Sequence, residues 1–152
     1  MSHTSHEQLI ELTQVFNVPP DVLYKAWTEF EHLQAWWRPM GARLVRMTND
    51  LREGGAVRYE FADENGSRHF IVEGTYRSVQ PSNYLEYTWN WKMPEEPVHE
   101  GSWLLKITFV DENGKSRLRV LQEQFANEEA IQPHREGWDI ALRELDRYLE
   151  RL

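Results

Sequence analysis

Alternation of apolar and polar residues dominates the middle of the chain, the pattern of a sheet buried on one face only. It runs through segments 42–48, 56–62, 68–79, 84–91, 102–110 and 117–125. One register collects Val57, Tyr59, Phe61, Phe70, Val72, Tyr76, Leu85, Tyr87, Trp89 and Trp91, then Trp103, Leu105, Ile107, Phe109, Leu118, Val120 and Gln122. The other reads Arg58, Glu60, Glu73, Arg77, Glu86, Lys106, Arg117, Arg119 and Glu123. Two near-identical turns, Asp63-Glu64-Asn65-Gly66 and Asp111-Glu112-Asn113-Gly114, interrupt the alternation. Asn-Gly takes up the positive φ angles that match strand twist, so each turn is expected to close an antiparallel hairpin.

The two ends follow other rules. Residues 8–18 alternate well enough for a first strand, which Pro19-Pro20 ends, and Pro20 suits the first position of a helix. From Asp21 the period changes, with Val22, Leu23, Ala26, Trp27 and Phe30 on one helical face. Thr28-Glu29-Phe30-Glu31 has the form of a capping box and predicts a second short helix carrying Phe30, Leu33, Trp36 and Trp37 up to Pro39. Around Pro133, starting at Asn127 or Gln132, a long amphipathic helix is expected with Trp138, Ala141, Leu142, Leu145, Leu149 and Leu152 as its apolar stripe. The order predicts an α+β protein in which a curved antiparallel sheet wraps around the C-terminal helix.

The 152 residues suffice for one domain, expected over 8–152 behind a polar extension at 1–7. A net charge of −8 argues against a nucleic-acid partner, which needs a concentrated basic face. The absence of cysteine removes disulfides, thiolate metal sites and thiol nucleophiles. No apolar stretch approaches the roughly 18 residues that cross a bilayer, so membrane insertion is not expected. The start MSHTSHEQLI has no basic segment followed by an apolar one, and a cytoplasmic location is expected.

Composition changes the picture in one respect, an aromatic load of seven Trp, six Tyr and six Phe. The inward register directs Tyr59, Tyr76, Tyr87, Trp89, Trp91, Trp103 and Gln122 toward Trp138 on the long helix. Large rings leave irregular voids and carry polar N–H and O–H groups, and apolar walls with a few such groups suit a small hydrophobic ligand. The same rings can fill a closed core, and the pattern leaves both open. Trp36, Trp37 and Met40 stand where a cavity mouth would be. Gly54-Gly55 lacks the spacing of a nucleotide loop and reads as a tight turn or bulge. Arg52 beside it is expected to pair with Asp50 or Glu53, the alternative being a ligand carboxylate. Gly137 costs its helix about 1 kcal/mol, which implies a close helix–sheet approach or an opening for ligand. His3, His6, His32, His69, His99 and His134 show no metal-ligand spacing, and no nucleophile-elbow serine is present. No catalytic residue, metal or cofactor is therefore expected, and the three tyrosines are the groups best placed for any polar role.

The chain also resembles a known family. The residues that carry the likeness are Phe16 to Pro20 with Val22, Ala26-Trp27-Thr28, Leu33, Trp36-Trp37, and the run Asp50 to Gly55. It continues through Gly74-Thr75-Tyr76, the Pro81 to Trp89 strand, Phe109, Gln122-Glu123 with Phe125, and Gly137-Trp138 with Leu142 and Leu145. Over residues 8–150 this order is similar to the bacterial family named for the C-terminal domain of the activator of Hsp90 ATPase. That resemblance implies the helix-grip fold of START domains, the major birch-pollen allergen and polyketide cyclases. It further implies an apolar site between sheet and long helix, which in some relatives catalyses cyclisation or dehydration. Binding of a small apolar or aromatic molecule without chemistry is the expectation. The alternatives are a protein-interaction module, such as a chaperone cofactor, and a cyclase- or dehydratase-like enzyme. The additional N-terminal domain of the eukaryotic activator is not expected here, nor is activation of Hsp90.

Overall fold

The computed structural model describes residues 7–63, 69–92, 101–125 and 131–152. The extension at 1–6, the Asn65-Gly66 turn, the His99 loop and Asn127 lie outside the described residues. In chain order the elements are β1 (Glu7–Phe16), α1 (Pro20–Thr28), α2 (Phe30–Trp36), β2 (Arg43–Asn49), β3 (Ala56–Ala62), β4 (His69–Gln80), β5 (Tyr84–Lys92), β6 (Gly101–Glu112), β7 (Lys115–Phe125) and α3 (Ile131–Glu150), with one 3-10 turn at Pro39–Gly41.

The seven strands form one sheet in the order β1-β7-β6-β5-β4-β3-β2, every pair antiparallel. β1 and β2 are consecutive strands on opposite edges, so the α1–α2 segment crosses the sheet between them. Asn113 and Gly114 both take positive φ, 58° and 86°, and Gly114 N–H donates to Asp111 Oδ1 at 3.0 Å, which closes the β6–β7 hairpin as Asn-Gly predicts. At the Asp50–Gly55 turn, Gly54 has φ +83°, and a Cβ on Gly55 would lie 2.0 Å from the Asp50 carbonyl oxygen, so neither site admits another residue without strain. Arg52 pairs with Asp50 at 2.9 Å on the exposed surface, the plainer of its two expected roles.

Every residue assigned to the inward register is buried. The outward register is laced by ion pairs, among them Arg58–Glu73 at 3.6 Å and Lys106–Glu123 at 3.1 Å. α3 places Trp138, Ala141, Leu142, Leu145 and Leu149 against the concave face. The architecture is the expected helix grip.

Four local expectations are corrected. Thr28 does not cap α2. It still belongs to the last turn of α1, where its hydroxyl donates back to the Tyr24 carbonyl at 2.8 Å, and α2 begins from Glu29 with no side-chain cap. Leu152 leaves the apolar stripe and is 65% exposed, because α3 has ended at Glu150. The helix is already under way at Gln132, so that residue is not its start. Gly137 makes no close approach to the sheet, since a Cβ there would point into open space.

Candidate functional site

Four indoles from four elements form a stack inside the grip. Trp37, just past α2, stacks on Trp89 of β5 with ring centroids 5.3 Å apart and planes within 8°. Trp89 stacks on Trp138 of α3 at 5.7 Å and 19°, and Trp138 on Trp27 of α1 at 5.9 Å and 9°. Such offset stacks are favourable beyond the apolar area they bury. Trp36 joins at the side, tilted against Trp27 at 5.5 Å.

Adjacent tryptophans would face different ways on a continuous helix. Both are nonetheless buried, because Trp36 closes α2 while Trp37 has left it with extended backbone angles, φ −98° and ψ 104°. Trp36 is anchored by its indole N–H, which donates to the Ala26 carbonyl at 2.8 Å. Trp37 packs edge-on against Tyr59 and Phe61, with centroids 4.9 and 5.0 Å away.

The polar atoms of this aromatic region are placed with similar care. Trp138 Nε1 donates to Gln122 Oε1 at 2.7 Å, which explains why the inward register of β7 carries a fully buried amide. Trp27 Nε1 donates to the Tyr87 hydroxyl at 3.1 Å, and Tyr76 donates to Asn49 Oδ1 at 2.7 Å. Asn49 in turn donates to the Thr28 carbonyl at 3.0 Å, tying β2 to the end of α1. Two buried donors find no acceptor among the described residues, Trp89 Nε1–H and the Tyr24 hydroxyl. A buried polar group left unpaired costs about 1–3 kcal/mol, so an orphan in a native fold asks for a partner.

Burial sets the protonation of the tyrosines. It pushes the Tyr59 hydroxyl well above its ordinary value, with Tyr87 and Tyr76 adding to the rise. Tyr76 is raised by the same cause. Tyr87 is pushed up by burial to about 12, although the Trp27 N–H bond opposes the shift. All three stay neutral hydroxyls near neutral pH, able to donate and accept but not to serve as bases.

Eight side chains line one small space: Trp27, Leu33, Trp36, Trp37, Tyr59, Tyr87, Trp89 and Trp138. The volume they leave is about 10 Å³, roughly what one water molecule requires. None of the eight carries a charge. Of the residues singled out from sequence, Tyr59, Tyr87, Trp89, Trp138, Trp36 and Trp37 meet at this lining. Tyr76 stands behind it against Tyr87, with ring centroids 5.2 Å apart, and Gln122 holds Trp138. Trp91 and Trp103 are buried but stand outside this lining, Trp91 edge-on to Trp89 and Trp103 opposite Trp89 in the β5–β6 register. The Met40 side chain lies outside the described residues. Trp27 and Leu33 were not anticipated as lining residues. Their signal, a helical apolar stripe, is the one any core residue gives. Among the described residues no group of three His, Asp or Glu could hold a metal ion, and no helix is long and apolar enough to cross a membrane.

A family model described as activator of Hsp90 ATPase homolog 1-like protein matches residues 17–150. No curated protein matches the chain. Among solved structures, protein CV1439 from Chromobacterium violaceum is 26% identical, superposes with a TM-score of 0.78, and the alignment covers 93% of this chain and 96% of that one. CalU16 from Micromonospora echinospora, 19% identical, superposes with a TM-score of 0.69 over 94% of this chain and 76% of its own. DynU16, a protein of the dynemicin biosynthetic locus, is 16% identical with a TM-score of 0.73, covering 93% of this chain and 47% of that one. The last two show a shared fold.

Proposed function

The chain belongs to the family of activator of Hsp90 ATPase homolog 1-like proteins, and on that premise we propose that it binds one small, neutral apolar or aromatic molecule between sheet and α3, without transforming it, in the cytoplasm. The observation that carries this reading is the Trp89 indole N–H, buried without an acceptor among the described residues, on a ring that lines an uncharged aromatic space. A ligand with a ring to stack and an oxygen to accept would satisfy both. Catalysis is not favoured, because Tyr59 and Tyr87 are the titratable residues of the lining and burial holds both in the neutral form.

The space must open to admit such a molecule. Trp37 is the ring best placed to move, since it lies beyond α2 and ends the stack, whereas Trp36 is pinned by its bond to Ala26. Ligand stacking on Trp89 then replaces the Trp37 contact, so the net gain is a difference between two apolar contacts and the affinity is modest.

Native mass spectrometry of the protein purified from its own host tests the reading. The expected result is a noncovalent adduct of defined mass that disappears when the chain unfolds. Bare chain from the host, together with no saturable binding from a chemically diverse apolar library, would overturn it.

A further inference from the structure

Resting on that reading, we propose that the site selects an electron-poor, carbonyl-bearing aromatic of the quinone class, stacked on the indoles and hydrogen-bonded by Trp89 Nε1–H.

The stacking surfaces come first. Trp37, Trp89, Trp138 and Trp27 are all indoles, the most electron-rich of the protein side-chain rings, and they lie nearly parallel. An electron-poor ring against an indole gains quadrupole complementarity and charge-transfer character that an electron-rich ring does not. Hydrogen bonding then selects for acceptors. An indole N–H can only donate, and Trp89 is 4% exposed with that donor unpaired among the described residues. A quinone carbonyl supplies the missing acceptor, and the protonated Tyr59 and Tyr87 hydroxyls stand in the same lining.

What the lining lacks agrees with this assignment. Among the described residues it holds no Lys or His, and the chain contains no Cys. An electrophilic quinone would therefore meet no side-chain nucleophile to add to it. With no charged group present, a carboxylate or ammonium ligand would be buried without a counter-charge.

Titration of the full chain with menadione and with menadiol dimethyl ether tests the assignment, because the two share a ring skeleton and differ in electron demand. Menadione is expected to saturate at one equivalent, to raise a new long-wavelength absorption band, and to bind about tenfold or more tighter than the ether. A sulfonated naphthoquinone is expected to bind about tenfold more weakly than menadione, because its charge would be desolvated. Equal affinity for menadione and the ether, or binding without the new band, overturns the quinone assignment and leaves apolar binding standing. No saturable binding of either compound to protein that retains its near-ultraviolet circular dichroism also overturns the quinone assignment, while the apolar reading falls only if the diverse apolar library fails as well. Trp89→Phe keeps a ring in the stack and removes the N–H, and is expected to weaken menadione about fivefold while changing the ether less than about twofold. Equal losses for the two compounds would remove Trp89 as the donor. The infrared carbonyl stretch of menadione bound to the unmodified protein gives a second readout that does not depend on a variant folding. A downshifted band is expected, and an unshifted one overturns the hydrogen bond.

Discussion

Two rows of side chains cross the central strands, and they solve burial in different ways. The row Leu85, Ile107 and Val120 is aliphatic, and no member is more than 1% exposed. Four residue pairs further along, Trp89 faces Trp103 in a region built almost wholly of rings, where four indoles stack, the Trp89 N–H lacks an acceptor among the described residues and a small void remains. Branched aliphatic side chains close-pack without polar debt, whereas flat rings leave gaps and bring donors that must be satisfied. The comparison teaches that the aliphatic row holds the fold while the aromatic region carries a local cost that a ligand could offset.

The largest expected effect that would sharpen this contrast is alkaline unfolding. The Tyr59, Tyr76 and Tyr87 hydroxyls are all raised in the folded state, Tyr87 to about 12. A raised folded value means their stabilising contribution is present below the unfolded value of about 10 and is lost as pH rises beyond it. Ionisation of these three tyrosines, followed through their own ring resonances, and the loss of circular dichroism should therefore occur together above about pH 10, as one cooperative step. Tyrosine ionisation well ahead of unfolding would show that the aromatic region opens by itself. Next in size, Trp138→Ala should cost about 3–5 kcal/mol in urea unfolding, because it removes a central ring of the stack and the hydrogen bond that ring donates to Gln122. A loss below about 1 kcal/mol would place this ring outside the core.

Smaller substitutions separate the two rows. Ile107→Val should cost about 0.5–1.5 kcal/mol, the ordinary price of one methyl from a packed site. Trp89→Phe deletes more atoms, yet it also deletes the unpaired N–H, so its cost should fall within about 1 kcal/mol of zero. A loss of about 3 kcal/mol or more there would mean that the N–H is satisfied and the two rows are packed alike. The smallest effect lies outside both rows. Gly137→Ala points its methyl into open space on an exposed helical face and should stabilise the protein by about 0.5–1 kcal/mol.

The strands were legible because alternation has a single physical cause, a sheet with one dry face. The alternation is interrupted within β4 by a bulge between Tyr76 and Ser78, after which Val79 rather than Ser78 pairs with the inward Leu85. The capping box misled because a threonine between two helices can serve either one, and Thr28 bonds back into α1. Gln122 was legible as an inward polar group, but its partner was not, since Trp138 lies on another element and meets it only through the curvature of the sheet. Trp27 gave the same signal as an ordinary core residue. The size of the remaining space depends on the rotamers of rings from four separate elements, and no spacing rule in one sequence encodes it.

The contrast between the rows is tested most directly by indole N–H and methyl resonances recorded as naphthalene is titrated into the folded protein. The seven tryptophans give separate indole signals for the comparison. Saturable shifts are expected at Trp89, Trp37 and Trp138, with the methyls of Leu85, Ile107 and Val120 unmoved. Shifts centred on the aliphatic methyls, or no saturable shift at any indole, would contradict the assignment of the aromatic region as the binding site.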